Sequence, residues 1–256
     1  MIGAIAGDVI GSTYEHHSQK TTEFELFTEW SKFTDDSVCT IAVAKAILTG
    51  LDLAPLLKET CLQFPHAGYG GMFKQWLYSS TLDPYNSFGN GSAMRVSPVG
   101  FAFTTEKEVL EEAKRSADVT HNHPEGVKGA QATALAIFLA RQGSDKVTIR
   151  KEIESRFQYD LHRTLADIRP GYYFDVTCQG SVPESIIAFL ESTSYEDCIR
   201  LAVSLGGDAD TQACIAGGIA QAYYRDIPIE ILDKATALLT EDMRETLTTF
   251  KERFGW

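Results

Sequence analysis

Cysteine is scarce in this chain, and what there is does not pair. The five cysteines (Cys39, Cys61, Cys178, Cys198 and Cys214) are odd in number and show no CxxC spacing, which excludes a disulfide framework and a zinc ribbon. Their apolar, helical-looking surroundings suit small core residues. Positive charge is also short. Lys and Arg number 23 against 35 Asp and Glu, a net charge of −12, so the basic face needed for non-specific binding to DNA, RNA or anionic membranes is missing. An anionic small molecule is still compatible, because a bound cation or a helix N-terminus reverses the field locally. No uninterrupted apolar run reaches the roughly 18 residues that suggest a membrane span. The opening MIGAIAGDVIG has no basic flank and meets Asp8 early, so a signal peptide is not expected and the cytoplasm is the expected compartment. No Ser/Gly linker or low-complexity tract divides the chain, and residues 1–256 are expected to form one domain. With 44% hydrophobic and 23% charged residues the composition is that of an ordinary folded protein, long enough to bury a core without disulfides.

What is present is helical. Residues 34–49 (TDDSVCTIAVAKAILT) open on hydroxyl and acidic side chains and stop before Gly50, which matches the capping preferences of both helix ends. Residues 124–141 begin at Pro124, where the missing N–H costs nothing, and a helix over 183–191 is expected to begin the same way at Pro183. Further helices are expected over 195–205, 211–225, 228–240 and 241–253. Strand signal is confined to a short alternation at Phe24–Thr28, and no βαβ alternation supports a Rossmann-type sheet. The expected class is therefore all-α. Gly217 and Gly218 inside the 211–225 segment together cost about 2 kcal/mol relative to alanine, a cost that closely approaching helix axes would explain.

Two acid clusters carry the strongest chemical signal. Thr34-Asp35-Asp36 opens one helix and Asp208-Ala209-Asp210-Thr211 opens another. A single Asp at a helix start is a cap or a dipole partner, worth about 0.3–1 kcal/mol. Two clusters of the same composition exceed what caps use, and adjacent acids repel unless a dication lies between them. An oxygen-only donor set suits Mg²⁺, Mn²⁺ or Ca²⁺ rather than Zn²⁺. Four carboxylates and two hydroxyls are enough for two ions about 3.5–4 Å apart. From the residues alone, capping and metal binding both stand. Glu15, just beyond a helix end expected near Gly11, is either a proton-transfer group beside such a centre or a solvated loop residue. Asp8 is read as a buried structural acid. Three polar loops lie between the helices: Gly68–Gly71, Ser87–Arg95 and Thr120–Pro124. Glycines let backbone N–H groups turn towards an anion, Ser87 and Ser92 offer hydroxyl donors, and Phe88 offers a stacking face. There is no GxxxxGK[ST] loop. His121-Asn122-His123 lacks the remainder of an HNH nuclease, His16-His17 has no partner at metal-ligand spacing, and Cys39 has no visible activating base.

At these residues the chain resembles the ADP-ribosylglycohydrolase family. The likeness rests on GDVIGSTYE at 7–15, FTDDS at 33–37, SFGNGSAMRVSPVG at 87–100, THNHPEGVKGAQATALA at 120–136 and LGGDADTQACIAGGIAQAYY at 205–224, five motifs in the family's order. The resemblance implies an all-α, single-domain orthogonal helical bundle with a central two-metal site, usually Mg²⁺ or Mn²⁺. It implies Thr34, Asp35, Asp36, Asp208, Asp210 and Thr211 as metal ligands, and Glu15 and Asp35 as catalytic groups. Gly68, Gly70 and Gly71 resemble a diphosphate-facing loop. Ser87, Gly89, Asn90, Gly91 and Met94 resemble a second ADP-ribose loop, with Phe88 at a position suited to adenine stacking. His121 resembles the histidine that approaches the ribose, while His123 has a less constant counterpart. The implied activity is metal-dependent hydrolysis of the C1″ glycosidic bond between ADP-ribose and an acceptor, with arginine favoured over serine, a nucleobase or a small-molecule conjugate. A modified protein or small molecule is the implied partner, and an intact nucleic acid is disfavoured by the charge. The competing readings are an ADP-ribose-binding module without turnover, a structural protein of the lens-crystallin kind, and a Mg²⁺-diphosphate enzyme such as an isoprenoid synthase. The retained acids count against the first two, and TDDSV lacks the DDxxD spacing that the third needs.

Overall fold

The computed structural model describes all 256 residues. Fifteen helices follow one another: α1 (Ile2–Gly11), α2 (Asp35–Thr49), α3 (Leu53–Leu62), α4 (Gly71–Tyr78), α5 (Gly91–Met94), α6 (Ser97–Ala102), α7 (Glu106–Asp118), α8 (Pro124–Arg141), α9 (Lys146–Phe157), α10 (Leu165–Ile168), α11 (Cys178–Glu191), α12 (Tyr195–Val203), α13 (Ala209–Tyr224), α14 (Ile229–Ala237) and α15 (Glu241–Phe254). There is no strand. The one β-type pairing is an isolated antiparallel bridge between Gly89 and Thr177. The all-α expectation holds, and the alternation at Phe24–Thr28 is irregular backbone, too short to find a pairing partner.

The expected helix ends follow local chemistry. The Thr34 hydroxyl accepts from the Asp36 N–H at the start of α2, and Gly50 closes that helix with φ 72°, a conformation that costs glycine no steric penalty. The Pro124 start of α8 is as expected. The Pro183 start is corrected: α11 begins five residues earlier, at Cys178, where the Thr177 hydroxyl caps the Gly180 N–H, and Pro183 lies inside the helix. A side-chain cap at Thr177 sets the start, and the proline removes a single helical hydrogen bond. Helix α7 starts on a complete capping box between Thr105 and Glu108, a signal legible as T-x-x-E.

The centre of the bundle is α13, on which every residue from Ala209 to Ala222 is buried, the polar Asp210, Thr211, Gln212 and Gln221 included. Its most extensive neighbour is α1, with α12, α11 and α8 closing around it. The α1–α13 approach is set by glycine. Gly3, Gly7 and Gly11 recur every four residues along one face of α1. A Cβ at Gly3 would come within 2.7 Å of the Gly217 carbonyl, one at Gly7 would strike the Ala213 carbonyl, and one at Gly11 would come within 2.5 Å of the Ala209 carbonyl. The two helices therefore run antiparallel, backbone against backbone. The Gly3 N–H donates to Gln221 Oε1 at 2.8 Å, and the Tyr195 hydroxyl donates to the Gly3 carbonyl at 2.6 Å, so polar groups at the crossing are paired.

The two glycines of α13 are not equivalent. A Cβ at Gly217 would strike the Gly3 carbonyl, whereas one at Gly218 would meet the tip of Ile137 at 3.3 Å. Gly217→Ala is expected to destabilise the protein by about 1–3 kcal/mol through overpacking against backbone. Gly218→Ala is expected to be neutral or stabilising by up to about 1 kcal/mol through helix propensity. Urea midpoints at constant m-value check the difference; equal effects would contradict the assigned crossing.

Candidate active site

Close packing of α1 on α13 brings two helix N-termini and the acids on them to one point. Asp8 on α1, Asp36 at the start of α2 and Asp210 at the start of α13 have carboxylate oxygens within 4.8 Å of one another, and Glu15, Asp208 and Asp210 form a second such triad. Asp210 is common to both. Asp8 accepts hydrogen bonds from the Thr34 N–H (3.0 Å), the Thr34 hydroxyl (2.6 Å) and the Ser37 N–H (3.1 Å), and also from the Ser37 hydroxyl, which fixes the start of α2 to α1. The Thr211 hydroxyl donates to Asp36 Oδ2 at 3.3 Å, and Asn90 Nδ2 donates to Asp208 Oδ2 at 2.7 Å. Asp35 is held through its backbone N–H on the Ala67 carbonyl at 2.8 Å.

No lysine or arginine forms an ion pair with any acid of this cluster. The one contact from a basic side chain is the exposed His16, 3.7 Å from Glu15. Burial is the largest cause of the resulting displacement, and mutual repulsion adds to it. It pushes Asp8 up to about 7 and Asp210 up to about 6. Asp35, Asp36 and Asp208 rise well above the carboxylate range, and Glu15 rises as well. Asp36 Oδ1 is buried without a hydrogen-bond partner. Buried carboxylates without counter-charge and an orphaned oxygen are the donor set of a hard divalent cation. The residues present therefore fit one.

These acids floor a pocket of about 400 Å³, within the usual range for small-molecule sites. Of the residues singled out in the sequence, Glu15, Asp35, Asp36, Asp208, Asp210, Thr211, Gly68, Gly70, Gly71, Ser87, Gly89, Asn90, Gly91, Met94 and His121 line it. Thr34 lies beneath, turned towards Asp8. Phe88 is not among the lining residues: its ring is 45% exposed and sits 5.3 Å from His123. His123 caps α8 by accepting from the Glu125 N–H at 3.1 Å. Gly68 adopts φ 114° and lies so near Asp35 that a Cβ would stand 3.0 Å from its carboxylate, so the loop requires glycine there. The 87–91 loop is held by Asn90 N–H to the Val176 carbonyl (2.8 Å) and Cys178 N–H to the Phe88 carbonyl (2.9 Å).

Sequence reasoning missed Tyr85, Arg95, Phe174 and Val176, which also line the pocket. Arg95 was detectable as a lone cation within the apolar run SAMRVSPVGFAF. Phe174 and Val176 arrive on an irregular segment with no periodicity to place it. Cys39 reaches the pocket wall, but its thiol is held 3.8 Å from that of Cys61 and is raised well above its ordinary value, first by that hydrogen bond and then by burial. An inert core thiol is the consistent description.

An all-helical domain with a carboxylate-floored pocket between two helix N-termini is the class these features define. A model of the ADP-ribosylglycohydrolase family matches residues 1–254, and the chain belongs to that family. ADP-ribosylhydrolase ARH3 of Mus musculus is 27% identical over 88% of this chain and 82% of its own length. The ADP-ribosyl-dinitrogen reductase glycohydrolase of Rhodospirillum rubrum is 24% identical over 95% of this chain and 91% of its own. A solved structure titled ADP-ribosylglycohydrolase-related protein complex aligns with a TM-score of 0.74 and 23% identity over 98% of this chain and 95% of that one, a likeness of fold. No helix is long and apolar enough to cross a membrane.

The raised carboxylates make stability depend on pH in a defined direction. The unfolded chain loses these protons near pH 4, whereas the folded protein without metal keeps them until about pH 6 to 7 at Asp210 and Asp8. Over that interval the folded state binds more protons, so stability falls as pH rises. In EDTA the melting temperature is expected to be higher at pH 5 than at pH 8, with the gap narrowed in Asp210→Asn. Added Mg²⁺ or Mn²⁺ is expected to bind the deprotonated carboxylates and so to raise the melting temperature more at pH 8 than at pH 5. A metal response equal at both pH values would contradict the carboxylate cluster as its origin.

Proposed function

We propose that this protein is a metal-dependent ADP-ribosyl hydrolase that cleaves the C1″ glycosidic bond between ADP-ribose and an acceptor, with ADP-ribosyl-arginine as the favoured substrate. The observation that carries this reading is the meeting of two acid triads through Asp210, without a protein counter-charge, at the pocket that Glu15, Asp36, Asp208 and Asp210 line together with the two glycine loops. Thr34, Asp35, Asp36, Asp208, Asp210 and Thr211 are the residues that would hold two divalent cations, Mg²⁺ or Mn²⁺. When bound, such ions supply positive charge that orients ribose hydroxyls and acidifies a water.

The chain's own groups supply the rest. Glu15 sits at the mouth with its side chain 27% exposed, close to Asp208 and Asp210. Its raised proton affinity suits a group that accepts a proton from the attacking water near neutral pH. The water oxygen forms a bond to C1″ as the bond from C1″ to the acceptor nitrogen breaks, through an oxocarbenium-like state, and the proton that Glu15 takes from the water is the one the departing guanidine nitrogen takes up, directly or by way of Asp35. Gly68, Gly70 and Gly71 leave backbone free to approach a diphosphate beside the N-terminus of α4. The 87–91 loop and His121 border the remainder of the nucleotide. Arginine is favoured because its guanidinium is cationic both in the substrate and, once reprotonated, in the product, and the acidic mouth of this pocket suits a cation better than it suits the neutral hydroxyl of serine.

The test is ADP-ribose release from ADP-ribosyl-arginine and ADP-ribosyl-serine peptides in Mg²⁺, in Mn²⁺ and in EDTA. Release that EDTA stops, faster from arginine, is expected. Asp210→Ala is expected to reduce turnover by at least about 10³-fold, the scale on which loss of a key electrostatic group acts, and to weaken metal binding measured by calorimetry. Binding of ADP-ribose without release from any conjugate would instead make the protein a reader. Unchanged activity of Asp210→Ala in metal-replete buffer would remove the metal assignment.

A further inference from the structure

Arg95 is the largest of the fully buried side chains, and it has no acid for a partner. Its Nη2 donates to the Ser116 carbonyl at 2.6 Å and to Thr120 Oγ1 at 3.0 Å, and its Nε is buried without any partner. The titratable groups whose charge acts with the guanidinium are thiols, the Tyr85 phenol and the His121 ring, none of them a carboxylate. A buried cation satisfied only by neutral acceptors is costly, which points to a task beyond packing. Thr120, itself fully buried, lies 2.7 Å from His121 Nδ1 through the same oxygen that receives the Arg95 donor.

One arrangement along this chain leaves no hydroxyl proton without an acceptor. Arg95 can only donate, so Thr120 Oγ1 accepts from it and retains one hydroxyl proton to place. The only other hydrogen-bond partner of that oxygen is His121 Nδ1. The hydroxyl therefore donates to Nδ1, which must be the unprotonated nitrogen of the ring, and the proton of the neutral imidazole is on Nε2. Burial, and secondarily the Arg95 charge, keep the ring neutral. Nε2 makes no hydrogen bond within the protein and lies against the glycine loop of the pocket. A Cβ at Gly91 would stand 3.0 Å from it and one at Gly89 3.6 Å, so glycines keep this nitrogen uncovered. Backbone contacts hold the ring in place, with His121 N–H on the Ala117 carbonyl at 2.7 Å.

We propose that Arg95 and Thr120 are positioning residues that fix His121 as an Nε2–H donor aimed into the pocket, there to hold an acceptor oxygen of the ligand. That the ligand is ADP-ribose rests on the function proposed above; the state of the ring does not. The nitrogen spectrum of ¹⁵N-histidine-labelled full-length protein in Mg²⁺ tests it directly, with His121 assigned by loss of its signals in His121→Gln. The expected pattern is a protonated Nε2 and a bare Nδ1. Thr120→Val, close in shape but without the hydroxyl, is expected to move the ring to mixed or Nδ1–H form and to weaken ADP-ribose binding about tenfold, the scale of one hydrogen bond. Thr120→Ser is expected to restore both. A glutamine amide donates without a relay, so Thr120→Val in the His121→Gln background is expected to change ADP-ribose affinity less than about twofold. A wild-type spectrum with Nδ1 protonated overturns the proposal whatever the variants do, as does an unchanged ring in Thr120→Val. A wild-type protein that shows the Nε2–H ring but binds no ADP-ribose would keep the relay and remove the ligand assignment.

Discussion

The contact on which this structure depends is the backbone-to-backbone approach of α1 and α13. Glycines spaced by four on α1 remove every Cβ that would separate the axes, and the carbonyls of Ala209, Ala213 and Gly217 occupy the vacated space. With no Cβ between them at these positions, the two helices touch backbone to backbone. Asp8 and Asp210 consequently come within one ion's reach of each other, although neither helix end would hold the other's acid at ordinary interaxial distances of about 8–10 Å. Asp8 then anchors the first turn of α2 through Thr34 and Ser37, which carries Asp35 and Asp36 to the same place.

Charge is distributed unevenly around the resulting pocket. Its floor concentrates carboxylates that repel one another. Its far wall holds a buried guanidinium and a neutral imidazole, with glycine loops between. An acidic protein with this arrangement can admit an anionic diphosphate, because the positive contributions come from groups close to the ligand rather than from net charge. The same unevenness separates the helix N-termini into two kinds: those of α2 and α13 are occupied by their own acids, whereas the first turn of α4 begins at open glycines with nothing within 4 Å of where a Cβ would stand.

Much of this was legible before any coordinates. Caps marked α2 at both ends, Pro124 marked α8, and the paired Thr/Asp clusters marked the point where two helices converge. The G-x-x-x-G-x-x-x-G stripe of α1 was present as Gly3, Gly7 and Gly11 but reads equally as a weak helix until its partner is known, since close approach is a property of two helices. Pro183 misled because a side-chain cap five residues upstream outweighed the proline preference for a first turn. Phe88 stood within the loop motif, yet local backbone geometry, tied to Val176 and Cys178, turns its ring outwards to His123. Arg95 stands out in the sequence as a lone cation in an apolar run, but its role shows only once its neutral partners, Ser116 and Thr120, are placed around it.

The pairing of the chain's first helix with its thirteenth also constrains how the protein comes into being. The Gly3 to Gln221 hydrogen bond spans 218 residues, so that length of chain is made before the helix that shares the most contact with α1 is complete. Until then α1 has an apolar, glycine-rich face with nothing to cover it, and the cluster of Asp8, Asp36 and Asp210 is not assembled. Folding of such long-range topology is slow relative to locally connected bundles, and the exposed segment is the sort that chaperones engage. The nascent chain thus carries α1 as an unfinished half of a joint until α13 has been made.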